Sequence, residues 1–271
     1  KKKKNRKAAA LGTASSGNSN TWTVNNLSVA DGSISVASAT GALPIYNTTD
    51  THGTTKGSGT RSDSNSSSIS LAIPMDGANN GTTFTDESAT IKGSGSAKTI
   101  TLYGNTKTST TQSKFYGSSG YFDGTGDYLQ SASNSDFAFG TGNFTVEFWY
   151  YHVGGTDRGL FANNSGSSVG VNFLVGAGGP FRIYNGTSAN NITDFSASPS
   201  ANTWQHLAIV RNSGTITLYV NGQGSGTANW SGVNAGTTAT FSVGAAYGNA
   251  RFAYGYIQDF RVYTGAAFFF F

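Results

Sequence analysis

Residues 144–151 read Phe-Thr-Val-Glu-Phe-Trp-Tyr-Tyr, and this run constrains the chain more than any other. Phe144, Val146, Phe148 and Tyr150 alternate with Thr145, Glu147, Trp149 and Tyr151. A period of two sends the two sets to opposite faces of a sheet. Both faces carry aromatic rings, which predicts a central strand covered on both sides. Upstream, 120–129 forms a second strand-like stretch. There Gly124-Thr125-Gly126 makes a turn between Tyr121-Phe122-Asp123 and Asp127-Tyr128-Leu129.

The same pattern recurs along the chain. Ile69, Leu71 and Ile73 alternate and end on Asp76-Gly77, a turn signal. Ile91 and then 99–103 supply a further short strand before Gly104-Asn105. Strands are expected at 159–161, 169–175 and 181–184, the last closed by Asn185-Gly186, a strong two-residue turn. Residues 204–211 and 215–220 flank Asn212-Ser213-Gly214 as a hairpin, and 241–243 and 254–263 close the series. The first and last strands are expected to pair as neighbours. Gly and Asn turns at this spacing, without helical periodicity, predict an all-β fold of two antiparallel sheets packed face to face as a jelly-roll sandwich. Composition agrees. Charged residues are 11%, aromatics 13%, and there are 37 glycines, which suits strands and turns. It opposes intrinsic disorder and a helical fold.

Four segments follow. Residues 1–20 are a basic, then Gly/Ser-rich flexible lead. Residues 21–67 read as an extended arm and linker. Its short pieces, such as Trp22-Thr23-Val24 and Leu27-Ser28-Val29, are too few to form a core of their own. The sandwich spans 68–265. Residues 266–271 form a tail ending in four Phe, an aggregation liability unless buried.

The net charge of +4 comes from the lead, where Lys1, Lys2, Lys3, Lys4, Arg6 and Lys7 stand. Without those six, eleven basic residues face thirteen acidic ones. The body therefore carries no electrostatic footprint for nucleic acid. With no cysteine, disulfides, Cys-ligated zinc and thiol chemistry are excluded. No apolar run reaches the ~18 residues of a membrane-spanning helix.

Particular motifs carry a family resemblance. Phe122-Asp123-Gly124-Thr125-Gly126-Asp127-Tyr128, Asp136-Phe137-Ala138-Phe139-Gly140 and Asn143-Phe144-Thr145-Val146-Glu147-Phe148-Trp149 come in order. They are followed by Thr203-Trp204-Gln205-His206-Leu207, Leu218-Tyr219-Val220-Asn221-Gly222 and Gly255-Tyr256-Ile257-Gln258-Asp259-Phe260. This series resembles the laminin-G-like, concanavalin A-like jelly roll, in the form found in virion proteins of marine tailed phages, cyanophages especially. The resemblance covers roughly 68–265. It implies a structural virion protein, a capsid decoration or tail-associated subunit, whose arm contacts other virion subunits. Such a protein is expected in the virion as a homo-oligomer or lattice-bound copy. A carbohydrate-binding adhesion module, or a bacterial extracellular fibre or surface protein, is the alternative. Fold alone does not decide among these.

Catalysis is not expected. Glucanases of this fold set carboxylates two residues apart on one strand, and hydrolysis needs such a pair. This chain has two glutamates, Glu87 and Glu147, far apart, and Glu147 is followed by Phe148-Trp149-Tyr150-Tyr151. Of the histidines, His52 lies in the linker and His206 on a strand, and neither sits in a nucleophile-and-base pattern.

Two kinds of binding site are expected instead. Surface polysaccharide would stack on aromatic rings, for which Trp149, Tyr151, Tyr184, Trp230 and Tyr247 are the candidates. Trp230, in the polar loop Asn229-Trp230-Ser231-Gly232, is the expected exposed ring. The resemblance also implies calcium, which takes hard oxygen ligands in turns. Asp76, Asp123 and Asp127 are the candidate donors, although Asp beside Gly also serves turns by itself.

Overall fold

In a computed structural model the described residues are 28–29, 39–40, 65–115, 117–163, 169–186, 190–237, 240–246 and 248–268. The chain forms two compact units, Lys1–Ser62 and Asp63–Phe271. In the first unit, β1 (Ser28–Val29) pairs antiparallel with β2 (Ala39–Thr40). The remaining strand-like pieces expected in the arm lie outside the described residues.

The second unit begins with β3 (Ile69–Ile73), α1 (Ser88–Lys92), β4 (Ile100–Tyr103), β5 (Lys107–Ser109), β6 (Ser119–Asp123) and β7 (Tyr128–Ser131). There follow β8 (Phe144–His152), β9 (Arg158–Ala162), β10 (Val171–Val175), β11 (Phe181–Asn185), β12 (Asn190–Asp194) and β13 (Trp204–Asn212). The chain then forms β14 (Thr215–Val220), β15 (Gln223–Asn229), β16 (Ser242–Val243), β17 (Ala245–Ala246), β18 (Arg251–Phe252) and β19 (Tyr254–Thr264).

An eight-stranded sheet runs β15-β14-β13-β8-β19-β6-β5, with β3 also on β19. A seven-stranded sheet runs β12-β11-β10-β9-β16-β7-β4. As expected, β8 is central and β3, first in the sandwich, pairs with β19, its last strand. The Asn212-Ser213-Gly214 turn makes the β13–β14 hairpin.

The Gly124-Thr125-Gly126 turn instead carries the chain across the sandwich, because β6 belongs to one sheet and β7 to the other. Both glycines have positive φ, +88° and +76°. Asp127 stitches this crossing: its carboxylate accepts the N–H groups of Asn105 and Asp123.

The expected strand contribution of Ile91 is corrected to helix. Asp86 accepts from Ser88 N–H and Oγ–H at 2.9 and 2.8 Å, and Gly93 ends the turn at φ +72°. Asp86, one residue before the cap position Glu87, fixes the entry of the chain, and the left-handed Gly93 fixes its exit, which outweighs one β-branched residue.

Alternation fills the core. Phe148 of β8 meets Phe260 of β19 at 5.1 Å and Phe161 of β9 at 6.2 Å, so rings interlock between the sheets. Phe161 also stacks on Phe241 at 5.7 Å. The fully buried Arg211 binds the carbonyls of Gly140, Trp230 and Val233 at 3.0, 2.7 and 2.8 Å. Among the described residues no helix is long and apolar enough to cross a membrane.

Candidate functional site

The outward face of the eight-stranded sheet carries the other half of each alternation. On β8 this is Thr145, Glu147, Trp149 and Tyr151. On β13 it is Trp204, His206, Ala208 and Val210, set opposite them in the reverse order. β19 places Tyr256 opposite Tyr151 and Gln258 opposite Trp149. A bulge at Asp259 then brings Arg261 opposite Glu147. β6 places Tyr121 opposite Tyr256.

These registers line up one ring per strand. Tyr121 meets Tyr256 at 4.9 Å, Tyr256 meets Tyr151 at 5.7 Å, and Tyr151 meets Trp204 at 5.6 Å. The row therefore crosses β6, β19, β8 and β13 without a break. Tyr121, Tyr151 and Trp204 are half-buried, and Tyr256 is 9% exposed. Burial raises the Tyr121 and Tyr256 phenols, and neighbouring phenols add to it, so both are uncharged at neutral pH.

The next residues along the strands are covered. Lys114 Nζ lies 4.2 Å above the Trp149 ring, and Phe115 meets it edge-on at 5.7 Å. Gln258 fastens this cover. Its Oε1 accepts the N–H groups of Lys114 and Phe115 at 2.8 and 2.9 Å, and its Nε2 donates to the carbonyls of Phe115 and Ser118 at 2.8 and 2.6 Å.

Beyond Trp149 lies a charged cluster. His206 Nε2 is 3.6 Å from Glu147 Oε2, and Arg261 Nε donates to Asp259 at 2.8 Å. Burial lowers the His206 pKa to about 4, the Arg261 charge adds to this and the Asp259 carboxylate opposes it. At neutral pH the contact is therefore a neutral imidazole against a carboxylate. At the far end, Thr145 Oγ1 lies 3.1 Å from the carbonyls of Ala266 and Phe268, and Phe268 packs on Tyr263 at 4.6 Å. The tail thus spends Phe268 on the sheet, while 269–271 lie outside the described residues.

Of the expected aromatic candidates, Trp149 and Tyr151 stand on this face. Trp230 is corrected: its side chain is fully buried in the core rather than exposed. Its N–H donates to Gly214 O at 2.7 Å and its carbonyl accepts from Arg211, so the backbone is pinned with the ring turned inward. Tyr184, 3% exposed, belongs to a separate cluster with Leu174 and Ala246. Tyr247 lies outside the described residues.

The sequence reading missed Tyr121, Tyr256 and Trp204. Their signal was the outward period of two in each strand, but only the register joins them.

Among the expected metal donors, Asp123 and Asp127 share the crossing turn, and Asp76 follows β3. Asp127 is fully buried, and burial raises its carboxyl against the N–H donors that lower it. Asp123 accepts from Thr125 N–H at 2.7 Å. Among the described residues, no three His or carboxylate side chains are grouped to hold a metal ion.

The two packed antiparallel sheets form a concanavalin A-like jelly-roll sandwich. The chain belongs to the concanavalin A-like lectin/glucanases superfamily, whose signature matches residues 123–267, just over half of it. No curated protein matches it in sequence. Among solved structures it is similar to the binding domain of botulinum neurotoxin serotype D/C VPI 5993, with a TM-score of 0.55 and 15% identity over 76% of this chain and 50% of that one. The botulinum neurotoxin DC binding domain in complex with rat synaptotagmin II gives the same figures. The serotype D binding domain gives 0.54 and 17%, over 74% and 49%. The chain spans about half the length of these domains, and at such identities the likeness is one of fold.

Proposed function

We propose that this protein is a non-catalytic carbohydrate-binding module whose ligand lies on the aromatic row. The observation that carries this reading is the unbroken contact of Tyr121, Tyr256, Tyr151 and Trp204 across the sheet, with three of the rings half-buried. The half-buried rings offer apolar surface, which suits the C–H face of a pyranose. Membership of a superfamily named for lectins and glucanases agrees with it.

Binding is favoured over hydrolysis because Glu147 is 5% exposed, with His206 at 3.6 Å and Arg261 opposite. A general acid and a nucleophile must instead face a cleft.

The proposed carrier is a virion, as capsid decoration or tail-associated subunit. The motifs in 122–149 support this, and a bacterial extracellular fibre or surface protein is the other carrier. In that setting, deleting 1–62 abolishes incorporation into particles. Full incorporation without it contradicts the virion role of the arm.

The binding reading is tested by a glycan panel on the full chain, with calcium and then with chelator. Binding that Trp204→Ala removes and chelation spares is expected. Binding that survives Trp204→Ala, or none to any glycan, contradicts the reading.

A further inference from the structure

The two large sheets end on β15, β5, β3, β12 and β4, and all of these edges but β4 are closed. β5 gives the Thr108 N–H to the Gly81 carbonyl and takes the Asn80 N–H on the Thr108 carbonyl, both at 2.8 Å. β3 gives the Ala72 N–H to the Asp86 carboxylate at 3.0 Å and takes the Glu87 N–H on the Ala72 carbonyl at 2.7 Å. β15 takes the Ser196 N–H and Oγ–H on the Ser225 carbonyl. β12 is bulged against β11, holds Asn191 at φ +52° and ends on the exposed Asp194–Arg182 ion pair. Bulges, charges and covering turns of this kind keep a sheet edge from pairing with another chain.

β4 has none of these devices. It pairs with β7 in unbroken register, from Ile100 opposite Ser131 to Tyr103 opposite Tyr128. Residues 99–103 read Thr-Ile-Thr-Leu-Tyr, without charge, Gly or Pro. Among the described residues, its backbone is met outside β7 at Tyr103 alone, whose carbonyl accepts from Thr106 Oγ1–H at 2.9 Å. Ile100 and Leu102 face the core but stay half-buried, while Thr99, Thr101 and Tyr103 are exposed. Tyr103 is held by stacking on Tyr128 at 4.3 Å. The core therefore stops at two partly covered aliphatic side chains beside an open row of backbone donors and acceptors.

This edge fits its own copy. About a twofold axis perpendicular to the sheet, two β4 strands pair antiparallel, and side chains keep their faces only when the paired numbers add to an even sum. An axis at Leu102 sets Ile100 against Gly104, where the chain turns away at φ +67°. An axis at Thr101 sets Ile100 against Leu102 of the second copy on the core side, and Thr99 against its Tyr103 outside. Lys98 then faces Gly104, so no like charges meet.

We propose that β4 is a homodimer edge: two copies pair their β4 strands antiparallel about a twofold axis at Thr101, and their seven-stranded sheets become one continuous sheet. The aromatic row lies on the other sheet, so this proposal stands apart from the carbohydrate-binding reading. The paired stretch is short, so the interface is small and the association weak, with Kd on the order of 10–100 µM.

The test is sedimentation velocity of the full chain from about 1 to about 300 µM, unaltered and as Thr101→Lys, Thr101→Glu and Ile192→Lys. A dimer fraction that rises with concentration is expected. Thr101→Lys and Thr101→Glu each set like charges across the axis and should sediment as monomers throughout. Thr101 is exposed, so their unfolding midpoints should stay those of the unaltered chain. Mixed in equal amounts, the two variants set opposite charges across the axis and should recover the dimer. Ile192→Lys, on the closed β12 edge, should leave the dimer unchanged. A monomer at every concentration, or a dimer that either Thr101 variant leaves intact, overturns the proposal. So does a mixture of the two variants that stays monomeric, or a dimer lost with Ile192→Lys.

Discussion

The two faces of the eight-stranded sheet carry the same residue types to opposite ends. On the inner face, Phe148, Phe260 and the in-turned Trp230 are fully buried and lock the two sheets together. On the outer face, Tyr151 and Trp204 contact one another just as closely yet remain half-buried. An aromatic ring becomes core or binding surface according to what stands over it. Trp230 turns its ring inward from a loop pinned by Arg211, whereas Tyr121, Tyr151 and Trp204 of the row stay half-buried.

The comparison is broken most severely on the inner face. Trp230→Ala should cost about 3–5 kcal/mol, because a cavity replaces a fully buried ring. Denaturant unfolding measures this, and glycan binding per folded molecule should be unchanged.

The second effect is one of pH. His206, on the outer face but covered, has a folded pKa of about 4 against 6.5 unfolded. The unfolded chain therefore takes up the proton first as pH falls. Stability is fully present above pH 6.5 and declines towards pH 4, by roughly 3 kcal/mol for this group. His152, also lowered by burial, acts in the same direction. Unfolding midpoints across this range should slope, and His206→Gln should flatten the slope.

How much of this the sequence disclosed follows from the reach of each signal. The alternation in 144–151 identified a central strand, because a period of two is written within one segment. The row was hidden, because Tyr121, Tyr256 and Trp204 become neighbours through pairings between strands far apart in the chain. Trp230 misled because Asn, Ser and Gly around it mark a loop, and a loop's composition does not say which way its one large side chain turns. The helix at 88–92 is too short to show a period, and only Asp86 and Gly93 mark it.

Smaller effects sharpen the contrast on the outer face. Trp204→Ala should cost only about 1 kcal/mol of stability while removing glycan binding. Lys114→Ala should cost about 0.5–1 kcal/mol, the worth of a partly exposed cation over an indole, as read from thermal unfolding.

On the proposed reading the outer row, not the loops or the other sheet, receives the ligand. The chain has four tryptophans, so 5-fluorotryptophan labelling of the full chain reports on both faces at once by fluorine NMR. On adding the oligosaccharide that binds, the Trp204 resonance is expected to shift most, Trp149 less, and Trp230 not at all. A ligand that saturates the protein without moving Trp204 would contradict the account.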